Sequence, residues 1–171
     1  QLSDCTVGII GCGHIGKDVV KLLKPFNCNI LVNDIVNFKD FYQENNATPV
    51  RIEELLKNSD IVTLHLPLNN TTENILSKER LKMLKDDSIL INLARGGLVD
   101  ERSLKKMLLE KKIAGAALDV FAIEPPTDTE FALMDNVLVT PHIGGSTEEA
   151  ILAMGMAAID GLDNAKDPLA F

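Results

Sequence analysis

The sequence of 171 residues has little positive charge and no long apolar run. Lysine and arginine number 17 against 25 acidic residues, which gives a net charge of −8. Nucleic acids and anionic membrane surfaces attract basic faces, so this balance argues against both as partners. No stretch of about 18 or more apolar residues is present, which excludes a membrane-spanning helix of ordinary length.

Cysteine is scarce as well, and the three present are Cys5, Cys12 and Cys28. Their wide spacing matches neither a disulfide framework nor a paired metal-binding signature, so we expect no metal site and a reducing, cytoplasmic location. The chain starts at Gln1 with no initiator methionine and no signal-peptide pattern. This start indicates a trimmed chain or a segment excised from a longer protein.

What is present is the composition of a folded domain, with 46% hydrophobic and 25% charged residues. At this length we expect one domain over residues 1–171. Short apolar runs alternate with stretches of helical periodicity, which predicts a doubly wound α/β (Rossmann) fold with a parallel sheet covered on both faces. The predicted strands are residues 5–10, 28–33, 61–66, 88–93, 114–120 and 136–140. The predicted helices include 15–23, 77–85, 100–110 and 146–165, and residues 37–49 are expected to be irregular.

The first predicted strand runs into a glycine-rich turn, GCGHIG at residues 11–16, which matches G-x-G-x-x-G and opens a predicted helix. Gly11 permits the tight turn, Gly13 lets a pyrophosphate approach the backbone, and Gly16 lets helix and sheet pack closely. Asp34, at the end of the second strand, would bind ribose hydroxyls and repel a 2′-phosphate. No arginine follows it to reverse that preference, so the motif predicts NAD rather than NADP. The alternative is a glycine turn without a ligand and an acid that caps a strand.

Four further polar residues lie at or just past the ends of predicted strands, on the cofactor side of the sheet: Arg95, Asp119, Glu124 and His142. Arg95 could hold a substrate carboxylate bidentately. His142 could donate a proton to a carbonyl as hydride arrives, with Glu124 orienting the imidazole. The structural alternatives are a surface charge for Arg95, a cap for Asp119, a loop acid for Glu124 and a core histidine for His142. From the residues alone both interpretations stay open.

Three residues near these positions have simpler predicted roles. His65, at the end of the third strand, is expected to line the cofactor cleft rather than to react. His14 lies within the glycine-rich turn and is expected to contact the cofactor through its backbone. Cys12 is interpreted as a small spacer, because no base evident in the sequence would make it a nucleophile.

Five segments together resemble the D-isomer-specific 2-hydroxyacid dehydrogenases, the family that includes phosphoglycerate dehydrogenase, glyoxylate reductase and D-lactate dehydrogenase. They are residues 7–16, 64–68, 91–100, 118–125 and 140–145, and the resemblance extends from residue 5 to about residue 165. It implies NAD as the cofactor and hydride transfer to or from a small 2-hydroxy or 2-oxo acid. The catalytic trio that it implies is Arg95 on the substrate carboxylate, His142 as acid-base and Glu124 supporting His142. The cofactor-binding residues are Gly11, Gly13, His14, Ile15, Gly16, Asp34, His65, Leu66, Pro67, Leu93, Ala94, Arg95, Asp119, His142, Gly144 and Gly145.

The resemblance carries four further expectations. Asp119 would hold the nicotinamide carboxamide, and Glu124 argues against the formate dehydrogenase branch, which has an amide there. Family members carry a second domain that is largely absent here, so we expect this chain alone to bind NAD weakly and to turn over little or nothing. Pairing of cofactor domains in the family implies a homodimer through residues 146–162 and 98–115. Two other interpretations stay open: a dinucleotide-sensing regulator resembling transcriptional corepressors, and a dimerisation scaffold with an empty cleft.

Overall fold

Strands and helices alternate along the part of the chain that the computed structural model describes, residues 1–165. The strands are β1 (Thr6–Ile10), β2 (Asn29–Asn33), β3 (Ala47–Pro49), β4 (Ile61–Leu64), β5 (Ile89–Asn92), β6 (Gly115–Leu118) and β7 (Val137–Val139). The helices are α1 (His14–Leu23), α2 (Lys39–Glu44), α3 (Ile52–Asn58), α4 (Lys78–Leu81), α5 (Glu101–Leu109), α6 (Thr129–Ala132) and α7 (Glu148–Asp163). The strands form one sheet in the order β3-β2-β1-β4-β5-β6-β7, with parallel neighbours throughout. The predicted doubly wound α/β fold is confirmed.

The sheet reverses its winding direction at β1. The chain moves outward from β1 to β3, returns to β4 on the other side of β1, and continues outward to β7. Register aligns the last residues of neighbouring strands, because Ile10 pairs with both Asn33 and Leu64, and Asn92 pairs with both Leu64 and Leu118. The residues that follow these strands therefore lie in one row at the carboxyl edge, where open α/β sheets bind their ligands.

The hydrophobic core occupies both faces of the sheet. Consecutive residues of β1 show this, since Ile9 belongs to one buried cluster and Ile10 to the other. Val20 of α1 packs in the first cluster, whereas Leu55 of α3 and Leu104 of α5 pack in the second. Burying one such side chain contributes about 1.5–3 kcal/mol, so strands covered on both faces read as nearly continuous apolar runs.

The prediction that residues 37–49 are irregular is wrong. This segment contains α2 and the edge strand β3, and α3 follows it at Ile52–Asn58. Strand β3 has only three residues, of which Ala47 is buried and the next two are exposed, so the sequence offers no run long enough to show alternation. Elsewhere the predicted boundaries are too long: β4 ends at Leu64 rather than at residue 66, and α4 covers Lys78–Leu81 rather than 77–85.

By proximity of Cα atoms the chain divides into two compact units, residues 1–141 and a second unit that begins at His142. The second unit contains α7, which begins after Thr147, whose hydroxyl accepts the N–H of Ala150 at 3.1 Å. Its large apolar side chains are exposed, namely Ile151, Leu152, Met154, Met156, Ile159 and Leu162. Within residues 1–165, a helix both long and apolar enough to cross a membrane is not found.

Candidate functional site

The glycine-rich turn between β1 and α1 is shaped by close backbone contacts. Gly11 has φ +94°, and a Cβ there would lie 2.5 Å from the carbonyl oxygen of His65. A Cβ on Gly16 would lie 2.0 Å from the carbonyl oxygen of Gly11, so α1 begins directly against the turn. Gly13, by contrast, has no atom within 4 Å of an added Cβ and borders open space. The first N–H groups of α1 therefore lie beside a space in which an anion can approach the backbone.

Asp34 ties the end of β2 to this turn. Its Oδ2 accepts the N–H of Cys12 at 2.5 Å, and its Oδ1 accepts the N–H of Val36 at 2.8 Å. Cys12 is fully buried, and burial, followed by the charge of Asp34, raises the pKa of its thiol. A protonated, buried thiol is a poor nucleophile, which agrees with the spacer role expected for Cys12.

Two residues that sequence reasoning did not single out hold the loop after Asp34. The ammonium of Lys17 lies 3.4 Å from the centroid of the Phe38 ring, a cation–π contact between α1 and the loop. The hydroxyl of Tyr42 donates to the carbonyl of Val36 at 3.3 Å. Each contact has one partner, Phe38 or Tyr42, in the segment that the sequence predicted as irregular, so no periodic pattern indicated it.

The chain after β4 lies against the glycine-rich turn. The N–H of His65 donates to the carbonyl of Ile10 at 2.8 Å and extends the β1–β4 ladder beyond the strand. Burial lowers the pKa of His65, which favours the neutral imidazole, and its Nε2 lies 3.1 Å from Oγ1 of Thr63. Leu66 is half-buried and borders Gly11, whereas Pro67 is exposed. His65 and Leu66 therefore lie directly against the turn, and Pro67 follows them at the exposed edge.

The turn after β5 is held by a buried amide. Asn92 is 2% exposed; its Nδ2 donates to the carbonyl of Arg95 at 2.8 Å, and its Oδ1 accepts the N–H of Ala94 at 3.1 Å. Leu93 and Arg95 are exposed at the sheet edge, and Nη1 of Arg95 donates to the carbonyl of Ala94 at 2.6 Å. Sequence reasoning missed Asn92, although an amide inside an otherwise apolar strand is a signal that could have identified it.

The loop after β6 packs against that turn. A Cβ on Gly96 would lie 1.9 Å from the carbonyl oxygen of Phe121, so the two backbones are in direct contact. Oε1 of Glu124 accepts the N–H of Phe121 at 3.0 Å, and Oε1 of Glu101 accepts the N–H of Ala122 at 2.6 Å. Burial, followed by the charge of Glu124, raises the pKa of Glu101. Two carboxyl groups thus hold one loop, of which the sequence indicated only Glu124.

Asp119 is buried directly after the end of β6. Its side chain is 3% exposed, and Oδ1 accepts the hydroxyl of Thr140 at 2.5 Å. Its N–H donates to the carbonyl of Asn92 at 3.0 Å. A carboxylate fixed in this way by neighbouring strands is a positioned acceptor at the edge of the sheet, rather than a flexible surface charge.

Three sequence-predicted residues, His142, Gly144 and Gly145, belong to the second unit. His142 has φ +55°, a left-handed conformation that is uncommon for a residue other than glycine, and its side chain is exposed. An added Cβ on Gly145 would meet no atom within 4 Å. The N–H of Ser146 donates to the carbonyl of Ile143 at 2.9 Å and closes a tight turn before α7.

The first unit therefore brings the predicted residues from Gly11 to Glu124 to one edge of its sheet. The space at Gly13, the close packing at Gly11 and Gly16, and the acid at the neighbouring strand end have the shape and donors that a dinucleotide requires. Asn92, Glu101, Lys17 and Tyr42 are supporting residues that the structure adds.

Comparison with known proteins yields one family and many relatives. Residues 1–144 match the family model described as D-isomer specific 2-hydroxyacid dehydrogenase, NAD binding domain. The chain is 46% identical over 156 residues to D-3-phosphoglycerate dehydrogenase of Methanocaldococcus jannaschii, covering 91% of this chain and 30% of that protein. It is 45% identical over 142 residues to glyoxylate reductase of Pyrococcus horikoshii, covering 83% of this chain and 42% of that protein.

A solved structure of a D-2-hydroxy acid dehydrogenase is also similar to this chain. D-lactate dehydrogenase from Aquifex aeolicus, complexed with NAD and lactic acid, is similar with a TM-score of 0.86 and 31% identity. The match covers 95% of this chain and 54% of that one. The chain thus spans about a third to a half of the length of these relatives, and the resemblance drawn from the sequence is confirmed.

Proposed function

The chain belongs to the D-isomer specific 2-hydroxyacid dehydrogenase family as its NAD-binding domain, and from this premise we propose that it serves an NAD-dependent oxidoreductase. The reaction is hydride transfer between the nicotinamide and C2 of a small D-2-hydroxy acid or 2-oxo acid, of the phosphoglycerate dehydrogenase or glyoxylate and hydroxypyruvate reductase type. The observation that carries the proposal is the row of residues along one sheet edge, in which a glycine turn tied to Asp34 stands in line with the turn of Arg95. Within the first unit, the residues that would bind the dinucleotide and Arg95 then lie along one edge of the sheet.

Binding begins at the glycine-rich turn. The open space at Gly13 and the N–H groups at His14 and Ile15 would receive the pyrophosphate. Asp34, whose oxygens retain lone pairs beyond the two N–H bonds that they accept, would bind ribose hydroxyls. The remaining proposed cofactor contacts are Gly11, Gly16, His65, Leu66, Pro67, Leu93, Ala94, Arg95, Asp119, His142, Gly144 and Gly145.

The reacting groups act on the substrate. Arg95, exposed at the end of its anchored turn, would pair with the substrate carboxylate and polarise the neighbouring carbonyl. Bound NADH supplies the hydride. His142 would give its proton to the oxygen at C2 during reduction and, as neutral imidazole, take the hydroxyl proton during oxidation. We assign Glu124 the role of supporting the charged imidazole, and Asp119 that of fixing the carboxamide.

Two finer features complete the proposal. We place the protein in the cytoplasm, which the three unpaired thiols support. We also propose a homodimer, supported by the exposed apolar side chains of α7, such as Leu152 and Met156. Residues 98–115 fit a contact surface less well than expected, because Leu98, Leu104 and Leu108 are buried in the core.

Turnover by the complete protein tests the function. With NADH and a panel of small 2-oxo acids, His142→Gln should lower kcat by about 10²- to 10⁴-fold while leaving NAD affinity within a few fold. Gly13→Val should instead weaken NAD binding by about tenfold or more, because a side chain would fill the space beside the turn. Calorimetry measures this affinity. A protein that binds NAD but reduces no member of the panel would be a regulator rather than a dehydrogenase.

A further inference from the structure

A groove of about 480 Å³ lies beside Asp34 at the carboxyl ends of β2 and β3. Asp34 lines it from β2, and Arg51, which follows β3 and precedes α3, lines it from the other side. Arg51 is exposed, so its guanidinium is accessible to a ligand in the groove. The groove therefore has one negatively and one positively charged side chain at the position where the adenosine ribose is expected.

Register places Arg51 level with Asp34. Val32 pairs with Pro49 between the two strands, and the N–H of Val50 continues the ladder to the carbonyl of Val32 at 2.9 Å. Nδ2 of Asn33 donates to the carbonyl of Val50 at 2.9 Å, which fixes the chain just before Arg51. Arg51 itself remains extended, with φ −69° and ψ 152°. Since adjacent strands lie about 4.8 Å apart, the two backbones pass close together at this level.

Asp34 and Arg51 have opposite effects on a phosphate group: the carboxylate repels it and the guanidinium attracts it. In dinucleotide-binding folds an acid at this position accepts the ribose 2′-hydroxyl, whereas a nearby arginine accommodates a 2′-phosphate. The sequence suggested that no arginine reverses the preference set by Asp34, because Arg51 is distant along the chain and follows a strand, β3, that was not predicted. Glu54 lines the same groove and adds a second negative charge that opposes phosphate.

We propose that Arg51 is a latent ligand for the 2′-phosphate of NADP, and that the carboxylate of Asp34 is what prevents it from binding this group. The inference rests on the proposed dinucleotide site and adds a residue, Arg51, that would hold the 2′-phosphate where Asp34 does not oppose it. Guanidinium pairs bidentately with phosphate, so one arginine suffices once the nearest opposing charge is removed.

Calorimetric titration of the 171-residue chain with ADP-ribose and 2′-phospho-ADP-ribose tests the role of Arg51. The wild type should prefer ADP-ribose by about tenfold or more, and Asp34→Ser should reverse that preference. Adding Arg51→Ala to Asp34→Ser should weaken 2′-phospho-ADP-ribose binding by about tenfold, while ADP-ribose binding changes by less than about twofold. Adding Glu54→Gln instead should strengthen binding of the phosphorylated probe, because one repelling charge is lost.

Two controls separate local contact from general effects. Arg102→Ala, which removes an exposed arginine from α5, lowers the net charge as Arg51→Ala does and should leave both affinities unchanged. Asp34→Asn removes the negative charge but keeps one acceptor oxygen, for the N–H of either Cys12 or Val36. It should shift the preference in the same direction as Asp34→Ser, because the shift comes from the loss of charge and not from loosening of these turns.

The possible failures are distinguishable. If Arg51→Ala and Arg102→Ala weaken 2′-phospho-ADP-ribose binding equally in the Asp34→Ser background, Arg51 is not a phosphate ligand, although the dinucleotide site stands. If the wild-type chain binds neither probe nor NAD, the proposed dinucleotide site is itself wrong.

Discussion

On the β1–β2 side of the carboxyl edge, glycines bring backbones into contact at the turn, whereas on the β5–β6 side the side chains of Asn92 and Glu101 hold the turns in addition to one close glycine contact at Gly96. Gly11 and Gly16 let backbones meet where a Cβ would lie 2.5 Å or less from a carbonyl oxygen. Asn92 and Glu101 instead hold turns by hydrogen bonds to backbone groups. The first kind of turn tolerates no added atoms, and the second fails when a donor or acceptor is removed.

Alanine at a close-contact glycine should have the largest effect. Gly16→Ala and Gly96→Ala should each lower the free energy of unfolding by about 3 kcal/mol, because the new Cβ would lie 2.0 or 1.9 Å from a carbonyl oxygen. Gly155→Ala, in α7 with no atom within 4 Å, should change stability by less than about 1 kcal/mol and serves as the control. Urea unfolding gives these values. If Gly96→Ala leaves stability unchanged, glycine contacts matter only on the β1–β2 side, and the difference between the two sides is larger than proposed. If Gly16→Ala leaves stability unchanged, that difference is absent.

Removing the amide of Asn92 should have the next largest effect. Asn92→Ala deletes both hydrogen bonds from a buried amide to the turn, to the carbonyl of Arg95 and the N–H of Ala94, which should cost about 2 kcal/mol in thermal or urea unfolding. Asn29→Ala, which loses a 3.2 Å bond from an exposed amide to Thr6, should cost less than about 0.5 kcal/mol. Equal losses for the two variants would show that the turn after β5 does not depend on Asn92.

The smallest effect should be a pH dependence at His65, which follows β4 between the two sides. Burial lowers the pKa of His65 from its usual 6.5, so the folded chain holds fewer protons there than the unfolded chain. The contribution of neutral His65 to the free energy of unfolding is fully present above pH 6.5. It is lost as the pH falls through 6.5 toward the folded-state pKa. His65→Gln should flatten this part of the curve in chemical unfolding from pH 5 to 8. Asn29→Gln, which replaces an exposed side chain that does not titrate, should leave the slope unchanged.

The sequence predicted the glycine-shaped side better than the side held by polar residues. Three glycines at fixed spacing and Asp34 have conformational and electrostatic requirements that can be read locally. Asn92 lies inside an apolar strand, and Glu101 acts on a loop 21 residues away, so their partners are defined only by the fold. Arg51 was missed for a related reason: it follows a three-residue edge strand, which is too short for periodicity to reveal.

The order of the strands locates Arg95, Asp119 and Glu124 in the fold but does not assign their functional roles. Arg95, Asp119 and Glu124 lie at the edge that the sequence predicted, and the structure supplies the bonds that fix each of them or the turn beneath it. Their assignments in binding and catalysis stay predictions, as do those of His142, Gly144 and Gly145 in the second unit. The apolar periodicity that identifies a strand carries no information about which polar side chains its ends bring together.

The contact between Gly96 and the Phe121 carbonyl has a consequence for dynamics. Because no space separates the two backbones, the turn that carries Arg95 cannot shift without displacing the loop that carries Glu124. Relaxation measurements should accordingly find one common exchange process for both segments rather than two independent ones. Any displacement of the backbone at Gly96 would therefore be passed directly to the backbone at Phe121.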